Sequence, residues 1–247
     1  IATDGGLLEK PVPRSYITLA PDERVELSVD FSGRALGSEL RLQSLLFNGV
    51  ACAGVGMFGG CPLPKVPVGS ELTIMRVSVE RKSEEKQPLP ERLSTIPRYR
   101  LEDAVNRENQ RAFTLGIQEQ PPFWNINGRT FEMESVAADE TVKLNTLEVW
   151  EFINQPGTMT VGTMKMTSET AHPIHIHGLQ FQVIKREVRP DMTANWETVR
   201  AGFLDEGWKD TMLVMPGERV KLLLKFEDYA GLYLYHCHNL EHEDLGM

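Results

Sequence analysis

The chain has 247 residues and a formal net charge of −9, with 41% hydrophobic residues, enough apolar content for one large domain or two small ones. The acidic balance argues against a nucleic-acid or anionic-membrane surface, and no run of 18 apolar residues offers a bilayer span. Its 20 glycines and 15 prolines punctuate short alternating runs rather than long helical patterns, so an all-β fold is expected.

The opening residues, Ile-Ala-Thr-Asp-Gly-Gly-Leu-Leu, read as a strand entering a turn and resemble neither an initiator segment nor a signal peptide. Together with an end at Met247, they read as a piece of a longer polypeptide. A periplasmic or secreted setting is expected, with the export signal outside this sequence. Residues 24–30, Arg-Val-Glu-Leu-Ser-Val-Asp, place Val25, Leu27 and Val29 on one face and predict a half-buried strand after the Pro21-Asp22 turn. Cys52 and Cys61 flank a Gly-rich loop, where two separate thiols and a loop-closing disulfide remain equally open. Residues 72–79 predict another strand, whose apolar parity shifts at Ile74-Met75 and calls for a bulge or burial on both faces. Nothing in residues 1–80 carries obvious chemistry. Residues 81–97 are polar and hold three prolines, the pattern of a linker. Residues 98–110 are charged and predict one short helix.

From residue 111 a second strand series begins. Residues 124–131, Trp-Asn-Ile-Asn-Gly-Arg-Thr-Phe, read as strand, Asn-Gly turn and strand. Residues 141–154 predict a long strand, and residues 161–168 a loop or edge strand. The thioethers of Met159, Met164 and Met166 suit copper, although packing is the commoner use of methionine. Residues 172–188, 220–226 and 232–238 complete a series of short strands that points to a β-sandwich.

All six histidines fall in two stretches of this second series. The first, residues 172–178, is His-Pro-Ile-His-Ile-His-Gly, and the second contains His236-Cys237-His238, then His242 and Met247. Side chains alternate between the two faces of a strand, so Cys237 points opposite to His236 and His238. His175 and His177 share a face, and His172, ahead of a proline, points elsewhere. Each stretch thus divides its donors in the same way. His172, Cys237, His242 and Met247 form two imidazoles, one thiolate and one thioether, the ligand set of a blue copper electron-transfer site. His175, His177, His236 and His238 form an all-imidazole group suited to copper that binds dioxygen. Structural zinc normally uses closely paired cysteines, which are absent. A cupin oxygenase would want a glutamate soon after His-x-His, where this chain has Leu179, Gln180, Phe181 and Gln182.

These residues, with Gly207-Trp-Lys-Asp-Thr211 and the acidic run through Asp244, resemble the final domain of multicopper oxidases, in the manner of the bacterial spore-coat laccase and bilirubin oxidase group. Residues 1–81 resemble the latter half of the preceding domain. The resemblance implies cupredoxin-like Greek-key β-sandwiches. It assigns residues 1–80 to a middle domain lacking its front half, 81–110 to a linker, and 111–247 to the C-terminal copper domain. It further implies that His172, Cys237, His242 and Met247 hold the type 1 copper, His175 the type 2 copper, and His177, His236 and His238 the type 3 pair. Glu243 matches an acid that helps deliver protons to oxygen, whereas Asp210 is expected to buttress structure. The implied activity is laccase-like: a phenolic or related small aromatic donor gives single electrons, and four of them reduce dioxygen to water. The family's three-copper cluster takes eight histidines, of which this chain supplies four. The partner expected to supply the rest is the N-terminal half of the same protein, as a separate or cleaved chain. Two alternatives stand beside this reading. A cuprous oxidase would carry an acid and a methionine just before the first type 1 histidine, where Ser168 and Thr170 stand. A cupredoxin scaffold without catalysis would have lost its ligands, which are all present.

Overall fold

Strand positions in the chain follow from where apolar alternation can be buried. In a computed structural model, residues 1–48, 69–83, 88–119, 122–161, 164–168 and 170–247 are described, with backbone only at 118–119, 122–123, 158–161 and 164–168. Cys52 and Cys61 lie outside the described residues, and Met159, Met164 and Met166 are described in backbone only.

The strands are β1 (Ala2–Thr3), β2 (Gly6–Leu7), β3 (Glu39–Gln43), β4 (Thr73–Ser78), β5 (Arg111–Glu119), β6 (Pro122–Ile126), β7 (Leu147–Asn154), β8 (Gly157–Val161), β9 (Met164–Ser168), β10 (His172–Ile176), β11 (Phe181–Val188), β12 (Thr211–Val214), β13 (Glu218–Lys225) and β14 (Tyr235–Cys237). Two one-turn helices, α1 (Thr193–Trp196) and α2 (Leu240–Glu243), complete the regular structure together with short 3-10 turns. A five-stranded sheet runs β11-β13-β7-β5-β6 and a three-stranded sheet runs β12-β10-β14. From β10 onward each successive strand joins the opposite sheet, which is the crossing pattern of a Greek-key sandwich. The expected all-β architecture is therefore the one observed.

The core lies between the sheets. Phe113, Phe152, Phe181, Leu222 and Leu224 from the larger sheet meet Ile174, Ile176, Met212, Val214 and Cys237 from the smaller. Strand β7 is buried on both faces because its outer face is also covered. Leu147 and Val149 pack there with Ala104, Leu223 and Tyr99, and the Asn106 side chain bonds both the N–H and the carbonyl of Val149. The predicted helix over 98–110 accordingly shrinks to a 3-10 turn, Leu101–Asp103, since Asn106 and Val105 spend their hydrogen bonds on the first residues of β7 instead.

The predicted Asn-Gly turn forms, with Asn127 and Gly128 at φ 55° and 74°, the left-handed pair a two-residue hairpin turn requires. Its return strand stops at Arg129, which bridges Ile126. Beyond it Phe131 N–H turns away to the Gly246 carbonyl at 2.7 Å. In the front segment, β4 carries the expected bulge: Leu42 faces Met75 and Gln43 faces Thr73, leaving Ile74 as the extra residue. The predicted strand 24–30 is reduced to a single bridge, Ala2 to Glu26, and Leu27 and Val29 are exposed. A strand is fixed by its ladder, and among the described residues no second strand pairs with this one. The linker stretch is coil, but it is anchored: the Ser94 hydroxyl donates to the Leu7 and Leu8 carbonyls, and Ile96 is buried. No helix among the described residues is long and apolar enough to cross a membrane.

The irregular segment between β11 and β12 is held to the sandwich by one buried cation. Arg186 pairs with Asp205 at 2.7 Å and Glu218 at 3.1 Å, donates to the Leu213 carbonyl, and stacks over Phe203. Glu218 is fully buried and also accepts from Met215 N–H and Trp196 Nε1. Arg186→Met leaves the buried Glu218 and the half-buried Asp205 without their cation, and denaturant unfolding should register a loss of about 3–5 kcal/mol. A loss below about 1 kcal/mol would show that the acids find other partners.

Candidate metal centre

Two strands of the smaller sheet bring the donors together. In the β10–β14 ladder Ile174 faces Cys237 and His175 faces His236. Residues 172, 174 and 176 of β10 turn inward with Tyr235 and Cys237 of β14, so the alternate residues of both strands turn the other way. The result is two donor groups on opposite faces of one two-strand ribbon.

On the inner face, Cys237 Sγ lies 3.5 Å from His172 Nδ1 and 3.5 Å from His242 Nδ1, and the two nitrogens are 3.2 Å apart. His172, Cys237 and His242 are all buried. The point equidistant from three atoms so spaced lies about 2.0 Å from each, which is the metal–nitrogen range. A buried thiolate and two imidazoles drawn this close together are the donor set that would hold a soft cation. His242 comes from α2, whose first turn is closed onto Asn239 by the N–H groups of His242 and Glu243. Asn239 in turn donates to the Ala171 carbonyl, tying α2 to the start of β10. Met247 is buried in the same core cluster. Its carbonyl accepts from Cys237 N–H and its N–H donates to the His242 carbonyl, both at 3.0 Å. Trp124 stacks on His242 with ring centres 4.0 Å apart and meets His172 edge-on.

Electrostatics suit the same species. Burial, with His242 alongside, holds His172 well below the usual imidazole pKa, and burial takes His242 down to about 4. Both rings are therefore neutral and offer lone pairs. Burial pushes the Cys237 thiol up to about 12, so the thiolate forms there only when a local cation compensates the charge.

The outer face gathers the other four histidines. His177 Nε2 and His236 Nε2 are 3.0 Å apart. The ring centres of His175 and His177, and of His236 and His238, lie 4.5 and 4.8 Å apart. His236 Nδ1 donates to the Cys237 carbonyl at 3.2 Å, which leaves Nε2 free to face His177. Around His175 Nδ1 lie the Asp210 carbonyl at 3.0 Å, Thr211 Oγ1 at 2.9 Å and Asp22 Oδ2 at 3.2 Å. Burial opposes a charge on His175, but hydrogen bonding to Asp210 and the charges of Asp210 and Asp22 outweigh it and raise its pKa. His177 and His236 are lowered, first by burial and then in part by neighbouring imidazoles. Unlike the inner set, this face opens outward: His177 is exposed and His175 and His238 are half-buried.

Glu243 sits at the boundary, exposed, with Oε2 3.7 Å from His236 Nδ1. Both residues wall a cavity of about 1180 Å³. Asp210 takes both terminal nitrogens of Arg24, at 2.6 and 2.5 Å, and accepts from the Thr211 hydroxyl at 3.0 Å. Despite partial burial, bonds from His175 and Arg24 hold its carboxyl far below the usual range. The buttressing expected of Asp210 is therefore present. Sequence reasoning overlooks Asp22, Thr211, Trp124 and Asn239. Asp22 reads only as a turn residue, and Trp124 only as part of a strand, because neither lies near a histidine in the chain.

Known proteins resemble this chain in sequence and fold. The profile of the multicopper oxidase family matches residues 104–247. Over its whole length the chain is 30% identical to a laccase of Bacillus subtilis (strain 168), covering 44% of that protein. It is equally 30% identical to a bilirubin oxidase of Albifimbria verrucaria, covering 38%. The McoA multicopper oxidase 2F4 variant from the hyperthermophile Aquifex aeolicus superposes on the entire chain with a TM-score of 0.74 at 28% identity, 48% of that structure being covered. The chain thus spans less than half the length of these relatives. Its strand-rich sandwich is the cupredoxin-like fold of those structures. With the profile matched across its donor-bearing half, this chain belongs to the multicopper oxidase family, which implies copper as its cofactor.

Proposed function

We propose that the chain is the C-terminal part of a laccase-like oxidase, in which one-electron oxidation of phenolic or related aromatic donors drives the four-electron reduction of dioxygen to water. Residues 1–80 then form the latter half of a middle domain, 81–110 the linker and 111–247 the copper domain. His172, Cys237, His242 and Met247 hold the type 1 copper, His175 the type 2 copper, and His177, His236 and His238 the type 3 pair. Copper supplies reversible one-electron transfer on the inner face and dioxygen binding on the outer one.

The observation that carries this reading is the back-to-back placement across one strand. Cys237 faces inward while its chain neighbours His236 and His238 face outward. With copper bound on both faces, the few covalent bonds from Cys237 to His236 and His238 would offer an electron path that does not cross solvent. The protein's own residues set the conditions for each half. Burial, Trp124 and Asn239 seal and orient the inner donors, and fixed donors of this kind tune a metal more than the ligands alone can. Glu243, exposed to solvent and 3.7 Å from His236, is placed to carry protons toward the outer group. Four further histidines, from the N-terminal part of the same protein, complete that group.

Two experiments on the complete, copper-loaded protein test the reading. Cys237→Ser should abolish the intense visible thiolate-to-copper band and reduce donor oxidation to background; a retained band would remove Cys237 from the site. Glu243→Gln should slow reoxidation by dioxygen by about 10²-fold or more while leaving anaerobic reduction by the donor unchanged. Steady-state kinetics with a phenol, bilirubin and Cu(I) complete the comparison. A strong preference for Cu(I) would transfer the protein to the cuprous oxidases.

A further inference from the structure

Residues 1–30 contain none of the proposed copper ligands, yet they reach the outer imidazole group at one side chain. Asp22 has φ 64°, a left-handed conformation that a residue with a Cβ keeps only when its surroundings over-determine it. Its neighbours do so on both sides. Glu23 pairs with Lys209 at 3.0 Å, Lys209 pairs with Asp4 at 3.2 Å, and all three side chains are buried. Arg24 closes its two-pronged pair on Asp210, and its own N–H donates to Asp4 Oδ1 at 2.7 Å. The hairpin carrying Asp4 sits hard against the segment that carries Lys209. A Cβ on Gly207 would meet Thr3 Oγ1 at 2.2 Å, and one on Gly5 would meet Trp208 Cβ at 2.3 Å. The turn is thus clamped to the start of β12 by ion pairs and by close backbone approach.

From this clamp Asp22 Oδ2 accepts the Thr211 hydroxyl at 2.8 Å, lies 3.2 Å from His175 Nδ1 and reaches within 3.7 Å of His238 Nε2. Thr211 has a single hydroxyl proton, and two carboxylates compete for it, Asp22 at 2.8 Å and Asp210 at 3.0 Å. Its oxygen therefore meets His175 as an acceptor. The Asp210 carbonyl and the Asp22 carboxylate are acceptors too. All of these neighbours of Nδ1 demand a proton there, which leaves the lone pair on Nε2.

We propose that Asp22 is a positioning residue of the oxygen-reducing site: through Thr211 it fixes His175 as the Nδ1–H tautomer, and it sets a carboxylate beside His238. The inference rests on the multicopper oxidase reading of the outer histidines, in which His175 takes the type 2 copper. It makes the front segment part of the metal site. A metal-bound histidine that loses one of the partners of its other nitrogen typically loses about 10- to 100-fold in metal affinity.

The test uses the complete copper-loaded protein and the variants Asp22→Ala, Thr211→Val and Thr211→Ser. Paramagnetic resonance reads the type 2 copper, a chelator reads the rate of copper loss, and the visible thiolate band serves as the internal control. Asp22→Ala and Thr211→Val should each alter the type 2 hyperfine pattern and speed copper loss by about 10- to 100-fold, with the thiolate band unchanged. Thr211→Ser, which keeps the hydroxyl, should restore the wild-type spectrum. Wild-type type 2 spectra and copper-loss rates in both Asp22→Ala and Thr211→Val would overturn the positioning role alone. Simultaneous loss of the thiolate band in those variants would also overturn it, by reducing the network to a structural clamp. Absence of any type 2 signal in the wild-type protein would overturn the underlying reading, and the inference with it.

Discussion

The two-residue period of one short strand pair governs this molecule. Because side chains alternate along β10 and β14, and because Ile174 pairs with Cys237, every donor's face follows from its position in the ladder. A slip of one residue would turn Cys237 out of the core and put His236 and His238 into it. The register is defended by burial: Ile174, Ile176 and Cys237 sit at or below 1% exposure, so the misregistered form would expose apolar groups and bury unpaired imidazoles. The sandwich that supplies this defence and the site that depends on it are one construction.

Around that ribbon the two faces are furnished differently. The inner face is sealed by aromatic stacking and by a C-terminal segment held through backbone bonds, including Phe131 to Gly246 and Cys237 to Met247. The outer face is bordered by carboxylates, from Asp22, Asp210 and Glu243. A dry soft-ligand site stabilises one cation by excluding competitors, whereas a polar open face can exchange protons and small molecules with solvent.

Much of this is legible in the sequence. Short apolar-rich runs bounded by turns mark β4, β7, β10 and β13, the Ile74 irregularity marks a bulge, and Asn127-Gly128 marks its turn. The two-way division of the donors follows from counting residues. Other features are not legible, for identifiable reasons. Residues 24–30 alternate as a strand should, but alternation reports burial tendency and cannot say whether a ladder partner exists. Residues 98–110 are charged enough for a helix, but tertiary hydrogen bonds from Asn106 override that local preference. Asp22 and Trp124 reach the histidines only through long-range packing, which leaves no periodic trace.

The depth of the inner donors also sets a timescale. His172, Cys237 and His242 have at most 6% exposure, and the stacked Trp124 ring covers His242. Reaching these donors from solvent requires local opening of the chain around them. The outer histidines, exposed or half-buried apart from His236, lie nearer to solvent than any of the three inner donors.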